Sequence, residues 1–239
     1  VDAHKKIEGI DRGASVMGFD PADGGADDKA VVLRRGGLIY SADSWNDGDV
    51  DDAINRSFGI AYDNNVAEIV YDSVGIGAAV KVGLSQRISN RPIKVTGFSG
   101  GSNTDNPDQE YMSGVLNENY FKNKRAQYAW LLRDRFEKTY RAVVKNEYIN
   151  PVELISLDSQ LPSLTRIKAE LVRVPRKWVS GSDMVQIMSK PEMRKNKIKS
   201  PNLFDALKMS FAAGAARPQS ITAAPSRPII NKRANAFRR

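Results

Sequence analysis

With 239 residues, 41% of them hydrophobic and 27% charged, the chain has the make-up of a globular protein long enough to bury a core. It has no cysteine and one histidine, His4, in a polar N-terminal stretch, which excludes disulfides, zinc fingers, iron–sulfur clusters, thiol nucleophiles and histidine-dependent triads and leaves carboxylates to carry any catalysis. The net charge of +8 points to an anionic partner, most simply nucleic acid, and Arg217, Arg227, Lys232, Arg233, Arg238 and Arg239 hold six of those charges in an acid-free tail, leaving +2 for the rest.

Residues 1–14 are polar and unpatterned and read as a linker or expression remnant. Ser15 to Asp20 is a short apolar run ending in an acid, followed by a turn rich in glycine and aspartate. Lys29 to Arg35 and Leu38 to Trp45, joined by Gly36-Gly37, complete a predicted antiparallel meander. Asp49 to Asn64 reads as a helix with Asp49, Asp51 and Asp52 near its positive end. Ala67 to Asp72 is a strand that again ends in an acid, Gly75 to Arg87 a helix, and Ile93 to Phe98 a fifth strand. Residues 99–110 carry no apolar side chain and are expected to form a mobile loop. Arg125, Ala129, Leu132, Phe136, Tyr140 and Val143 then keep helical spacing to about residue 145, with Trp130, Phe136 and Tyr140 expected in the core. Leu161 to Leu171 is a further helix. Val172 to Val179 and Met184 to Met188 flank Gly181-Ser182-Asp183 as a β-hairpin. Ser200-Pro201 opens a last helix to about Ala216, with Ser200 as N-cap and Pro201 at the first helical position. One domain is therefore expected over residues 15–216: an α/β fold whose mixed five-stranded sheet, flanked by helices and with an added hairpin, follows the RNase H-like pattern. Residues 217–239 read as a basic, disordered tail. No apolar run approaches the roughly 18–20 residues of a membrane helix and no signal peptide is evident, so a soluble intracellular protein is expected.

Three acids stand out. Asp20 and Asp72 each end an apolar strand, where ligand sites of α/β sheets gather, and Asp205 sits in the first turn of the last helix on a face shared with Met209 and Ala212. Each also has a structural explanation, as turn-former, N-cap or partner of the helix dipole, and spacing alone does not choose. If they converge, their mutual repulsion requires cations, and oxygen-only ligation favours Mg²⁺ or Mn²⁺.

Four segments resemble the nuclease domain of bacteriophage large terminase subunits of the headful packaging type. Asp20-Pro-Ala-Asp-Gly-Gly-Ala-Asp27-Asp-Lys-Ala30 is similar to that family's first nuclease motif, Tyr71-Asp72-Ser-Val-Gly75-Ile-Gly77-Ala to its second, and Ser200-Pro201-Asn-Leu-Phe-Asp205-Ala206-Leu207 to its third. Between them, Phe121-Lys-Asn-Lys124-Arg125-Ala126 resembles a helix start of the family. The resemblance implies a metal-dependent endonuclease that cleaves double-stranded DNA, the concatemeric viral genome, during packaging into procapsids. It implies Asp20, Asp72 and Asp205 as catalytic ligands of two divalent cations, Mg²⁺ or Mn²⁺, with Asp27 as a further carboxylate at the metals. It also implies portal protein, the small terminase subunit and an ATPase motor domain as partners, the host cytoplasm at the procapsid portal vertex as the place of action, and absence from the mature virion. No Gly-x-x-x-x-Gly-Lys-Ser/Thr loop occurs in this sequence to drive translocation. Lys190, Arg194, Lys195, Lys197 and Lys199 lead into the third motif and are expected to track DNA phosphates. The tail suits DNA or a protein such as portal, with Ile229, Ile230 and Phe237 favouring the protein. Alternatives are another RNase H-like DNA enzyme, such as a resolvase or transposase core, and a non-catalytic docking module of the packaging machine.

Overall fold

Successive side chains of a strand point to opposite faces, and the first two strands are apolar enough to be buried on both, so helices cover the sheet on each side. The computed structural model describes residues 7–22, 27–89 and 91–213. Strands β1 (Ser15–Asp20), β2 (Lys29–Arg35) and β3 (Leu38–Trp45) form the expected meander; helix α1 (Val50–Asp63), β4 (Glu68–Asp72), α2 (Gly77–Ile88) and β5 (Lys94–Phe98) follow. Next come a small ribbon of β6 (Glu110–Met112) and β7 (Val115–Leu116), α3 (Asn117–Tyr120), the long α4 (Lys124–Val144) and a 3₁₀ turn at Pro151–Glu153. Strand β8 (Ser156–Leu157), α5 (Leu164–Arg173), the hairpin β9 (Arg176–Val179) and β10 (Ser182–Ile187), α6 (Lys190–Lys195) and α7 (Asn202–Ser210) complete the described chain.

The sheet order is β5-β4-β1-β2-β3-β8. It is antiparallel from β1 to β3 and parallel where β4, β5 and β8 join, as the RNase H-like reading expects. The sixth strand, β8, was not legible in the sequence because it is two residues long and borrows its pairing from Leu38 and Ile39.

Met17, Phe19, Val31, Leu33, Ile69 and Tyr71 face α1 and α2, burying Ala53, Ile54, Val80 and Leu84. On the opposite face Ala30, Val32 and Ile39 pack on α7, α4 and α5 through Leu203, Ala206, Leu207, Leu132 and Ile167. Helix α7 is buried along almost its whole length; its nine residues are too few for a stable isolated helix, so packing holds it. Gly18 permits this: a Cβ there would stand 1.8 Å from the Ala206 carbonyl oxygen, so only glycine lets α7 lie directly on β1.

Several expectations need correction. Residues 99–110 are pinned rather than mobile, since Asp105 accepts from Lys124 and the Tyr128 hydroxyl while its backbone bonds the Gln127 amide. Tyr140 is 42% exposed, not core. Helix α7 starts at Asn202, and Ser200 does not cap it; the Ser200 hydroxyl donates to the Asn202 side chain, while the buried Glu170 of α5 accepts from the Phe204 N–H. The basic run, to which the sequence assigned no element, includes α6, opened by a capping box between Ser189 and Glu192. Residues 217–239, and with them the tail, lie outside the described residues. Among the described residues no helix is long and apolar enough to cross a membrane.

Candidate metal centre

Asp20 and Asp72 share one face of the sheet by parity. Phe19 stands opposite Tyr71 in the parallel pair β1–β4 and both turn toward α1 and α2, so the next residues, Asp20 and Asp72, turn toward α7. Gly75, at φ +68°, then lets the chain reverse out of β4 into α2. Helix α7, seated on Gly18, brings Asp205 to the same place.

The group that joins them is an ammonium. Lys190, at the start of α6, donates to Asp20 Oδ2 at 2.9 Å and lies 3.5 Å from Asp205 Oδ2. Lys208, one turn along α7 and 3% exposed, donates to the other oxygen of Asp205 at 2.5 Å. Burial pushes the Asp20 carboxyl up to about 6, with Asp205 and Asp72 adding to the rise and Lys190 opposing it. Burial works the same way on Asp205, but Lys208, Lys190 and Arg125 outweigh it and hold that carboxyl below its ordinary range. Lys190 is held above its ordinary range, because Asp20 and Asp205 overcome the cost of burying its charge.

Asp72 stands at the rim, with Oδ1 accepting from the Val74 N–H at 3.0 Å. Asp27 is paired with Arg194 at 2.5 Å, and neighbouring Asp28 with Arg166, with Lys199 3.9 Å away. Among the described residues Lys195 and Lys197 have neither hydrogen-bonded nor ionic side-chain partners, so of the five predicted DNA-contacting cations two stand free, two pair with Asp27 and Asp28 just before β2, and Lys190 enters the acid site itself.

Among the described residues no three acids or histidines are gathered closely enough to grip a metal as they stand. The donor chemistry nonetheless fits a hard divalent cation. The site offers carboxylate oxygens alone, and the buried Asp20 carries an elevated pKa that a closer positive charge would lower. Lys190 was assigned to phosphate tracking from the sequence, and its position in the centre was missed. The signal lay in Ser189-Lys190-Pro191-Glu192, a capping-box sequence that fixes a helix start and hence where Lys190 stands. A cavity of about 1160 Å³ between the N-terminal turn, α4 and α5 is lined by none of Asp20, Asp72 or Asp205.

The model of the terminase RNase H-like domain family matches residues 23–213. The nuclease domain of the large terminase subunit gp2 of bacterial virus Sf6 superimposes with a TM-score of 0.80 at 32% identity, covering 83% of this chain and 88% of that one. A mutant of the same domain with manganese and beta-thujaplicinol gives a TM-score of 0.80 at 31% identity, over 84% of this chain and 88% of that one. The large terminase nuclease from thermophilic phage G20c with bound cobalt, 13% identical with a TM-score of 0.51 over 84% of this chain and 81% of that one, shares the fold. No curated protein sequence matches at a significant level. The match over residues 23–213 and the 32% identity to the Sf6 domain place this chain in the terminase RNase H-like domain family, to which it belongs.

Proposed function

We propose that this chain is the nuclease domain of a phage large terminase, a divalent-metal-dependent endonuclease that hydrolyses double-stranded DNA during genome packaging. The observation that carries the reading is the convergence of Asp20 and Asp205, from a strand end and a distant helix, on one positive charge with Asp72 beside them. The Sf6 domain with manganese and the G20c domain with cobalt support divalent-metal use.

In this reading Asp20, Asp72 and Asp205 hold two divalent cations, Mg²⁺ or Mn²⁺, and Asp27 orients water beside them. When bound, the cations supply the charge that favours ionisation of a water and offsets the charge on the leaving 3′ oxygen. The water oxygen bonds phosphorus as its proton passes to solvent, the phosphorus–O3′ bond breaks, and the leaving 3′ oxygen takes a proton from solvent to become a hydroxyl. With cations held by those carboxylates, the Lys190 ammonium, already at the site, would be placed to pair with a DNA phosphate, as would Lys195 and Lys197. Portal protein, the small terminase subunit and an ATPase domain are the partners in this setting, at the portal vertex of the procapsid in the host cytoplasm.

Supercoiled plasmid incubated with Mg²⁺ or Mn²⁺ tests the proposal. Nicked and linear products that vanish with chelator are expected; plasmid left supercoiled under all metals would refute the nuclease reading and leave a docking module.

A further inference from the structure

The hairpin carries a side-chain stack that the cleavage chemistry does not use. The Arg176 guanidinium on β9 lies 3.8 Å from the centre of the Trp178 ring and 5.1 Å from that of Trp130 on α4. The Arg133 guanidinium lies 5.0 Å from the Trp130 ring in turn. Rings and guanidinium groups thus alternate from the hairpin to α4, and the buried Nε of Arg176 has no hydrogen-bond partner, so the rings rather than acceptors hold it. The stack ends in Trp178, which is 76% exposed. An indole this exposed gains little for the folded state, and one held rigidly by a stacked guanidinium has paid in advance the ordering that binding requires.

Its surroundings select the partner. Between Arg173 and Lys199 the sequence has eight cations, Arg173, Arg176, Lys177, Lys190, Arg194, Lys195, Lys197 and Lys199, against two acids, Asp183 and Glu192. The hairpin is tied to α6 by the ion pair of Lys177 with Glu192. Lys190, two residues before Glu192, is the residue that reaches Asp20 and Asp205. Helix α6 thus links the hairpin to the acid site.

We infer that the Trp178 and Arg176 face of the hairpin is a DNA-docking platform, on which the indole packs against a base or sugar of the duplex flanking the scissile phosphate while the neighbouring cations track the backbone. The choice of DNA rests on the nuclease reading; the platform itself rests on the stack and the charge.

The 239-residue protein titrated into a labelled duplex oligonucleotide in chelator tests this by anisotropy and tryptophan emission. Wild type should bind with quenched emission. Trp178→Ala should weaken binding about tenfold, the loss of roughly 1.4 kcal/mol of contact. Trp178→Phe should restore most of the affinity but lack the quench, since Trp45, 7% exposed, and the sandwiched Trp130 are shielded. In metal, Trp178→Ala should raise KM on plasmid with kcat retained. Equal affinity of wild type and a folded Trp178→Ala, with no quench in wild type, would overturn the inference and pass this face to a protein partner. A wild type that binds DNA through Trp178 yet leaves plasmid uncut in metal would uphold the platform while refuting the nuclease reading.

Discussion

Lys190 donates to Asp20 at 2.9 Å across 170 residues of sequence, so the last third of the chain supplies the charge that lets the end of the first strand stay buried. An ammonium in this place competes with any divalent cation for the same oxygens. Lys190→Ala should lower the melting temperature of the metal-free protein, since breaking a buried ion pair costs about 3–5 kcal/mol. The lower end applies here because the Lys190 side chain is 24% exposed. The rise in melting temperature on adding Mn²⁺ should be larger in the variant than in wild type. An unchanged rise would show that the ammonium and the metal do not compete.

Asp20→Asn, Asp72→Asn and Asp205→Asn should each abolish plasmid cleavage while far-UV circular dichroism stays native, because each removes a negative ligand without changing volume. A metal that binds only the folded site stabilises it by about 2.7 kcal/mol at a hundredfold excess over Kd. The triple variant should lose that gain in a thermal melt. Full activity in any single variant would remove that residue from the site.

Gly18→Ala tests whether the seating of α7 sets the site. The added methyl would lie 1.8 Å from the Ala206 carbonyl oxygen, which is backbone and cannot rotate away. Overpacking of this kind costs about 1–3 kcal/mol, and more where backbone must shift. Cleavage should fall further than stability predicts at a temperature where the variant is still folded, since the helix that moves carries Asp205. A variant that melts lower but cuts at the wild-type rate would separate the seating from the site.

Glu170 is 1% exposed and accepts from the Phe204 N–H, one residue before Asp205, and from Arg166, which also binds Asp28. Glu170→Ala leaves a buried backbone donor unpaired, a loss of about 1–3 kcal/mol in urea unfolding. Glu170→Gln keeps an acceptor and should recover most of it. Equal losses would assign the effect to the charge pairing with Arg166 instead of to the helix start.

The strand-end acids were legible because a short apolar run ending in aspartate marks both the strand and its carboxyl end, where ligand sites of α/β sheets gather. The last helix was legible from Ser200-Pro201, yet what caps it was not, since Glu170 reaches it from another helix and leaves no local mark in the sequence. The same limit explains the loop at residues 99–110. Its polar composition reads as mobile, and only the fold brings Gln127, Tyr128 and Lys124 onto Asp105. Lys190 failed for a different reason, because a run of cations reads as a solvated face unless the helix start that turns one of them inward is recognised.

The attachment of the hairpin to α6 should come apart in acid. Glu192 accepts from the Lys177 ammonium on β9 and from the backbone and hydroxyl of Ser189, and these bonds draw its carboxyl from 4.5 down to about 2. Its folded pKa lies below its unfolded one, so the stabilisation is complete above about 4.5 and is lost as pH falls through about 2. The pair is partly exposed, and its rupture should free the hairpin locally. Trp178 and Trp130 report that event, because the stack through Arg176 depends on where the hairpin lies. Acid titration of wild type should give a change in tryptophan emission between pH 4.5 and 2 that Glu192→Gln lacks, the variant showing the detached signal already at neutral pH. General acid unfolding acts on both proteins and cancels in the comparison. Identical titration curves would mean that the capping box and the Phe121–Val185 bridge hold the hairpin without the Lys177 pair.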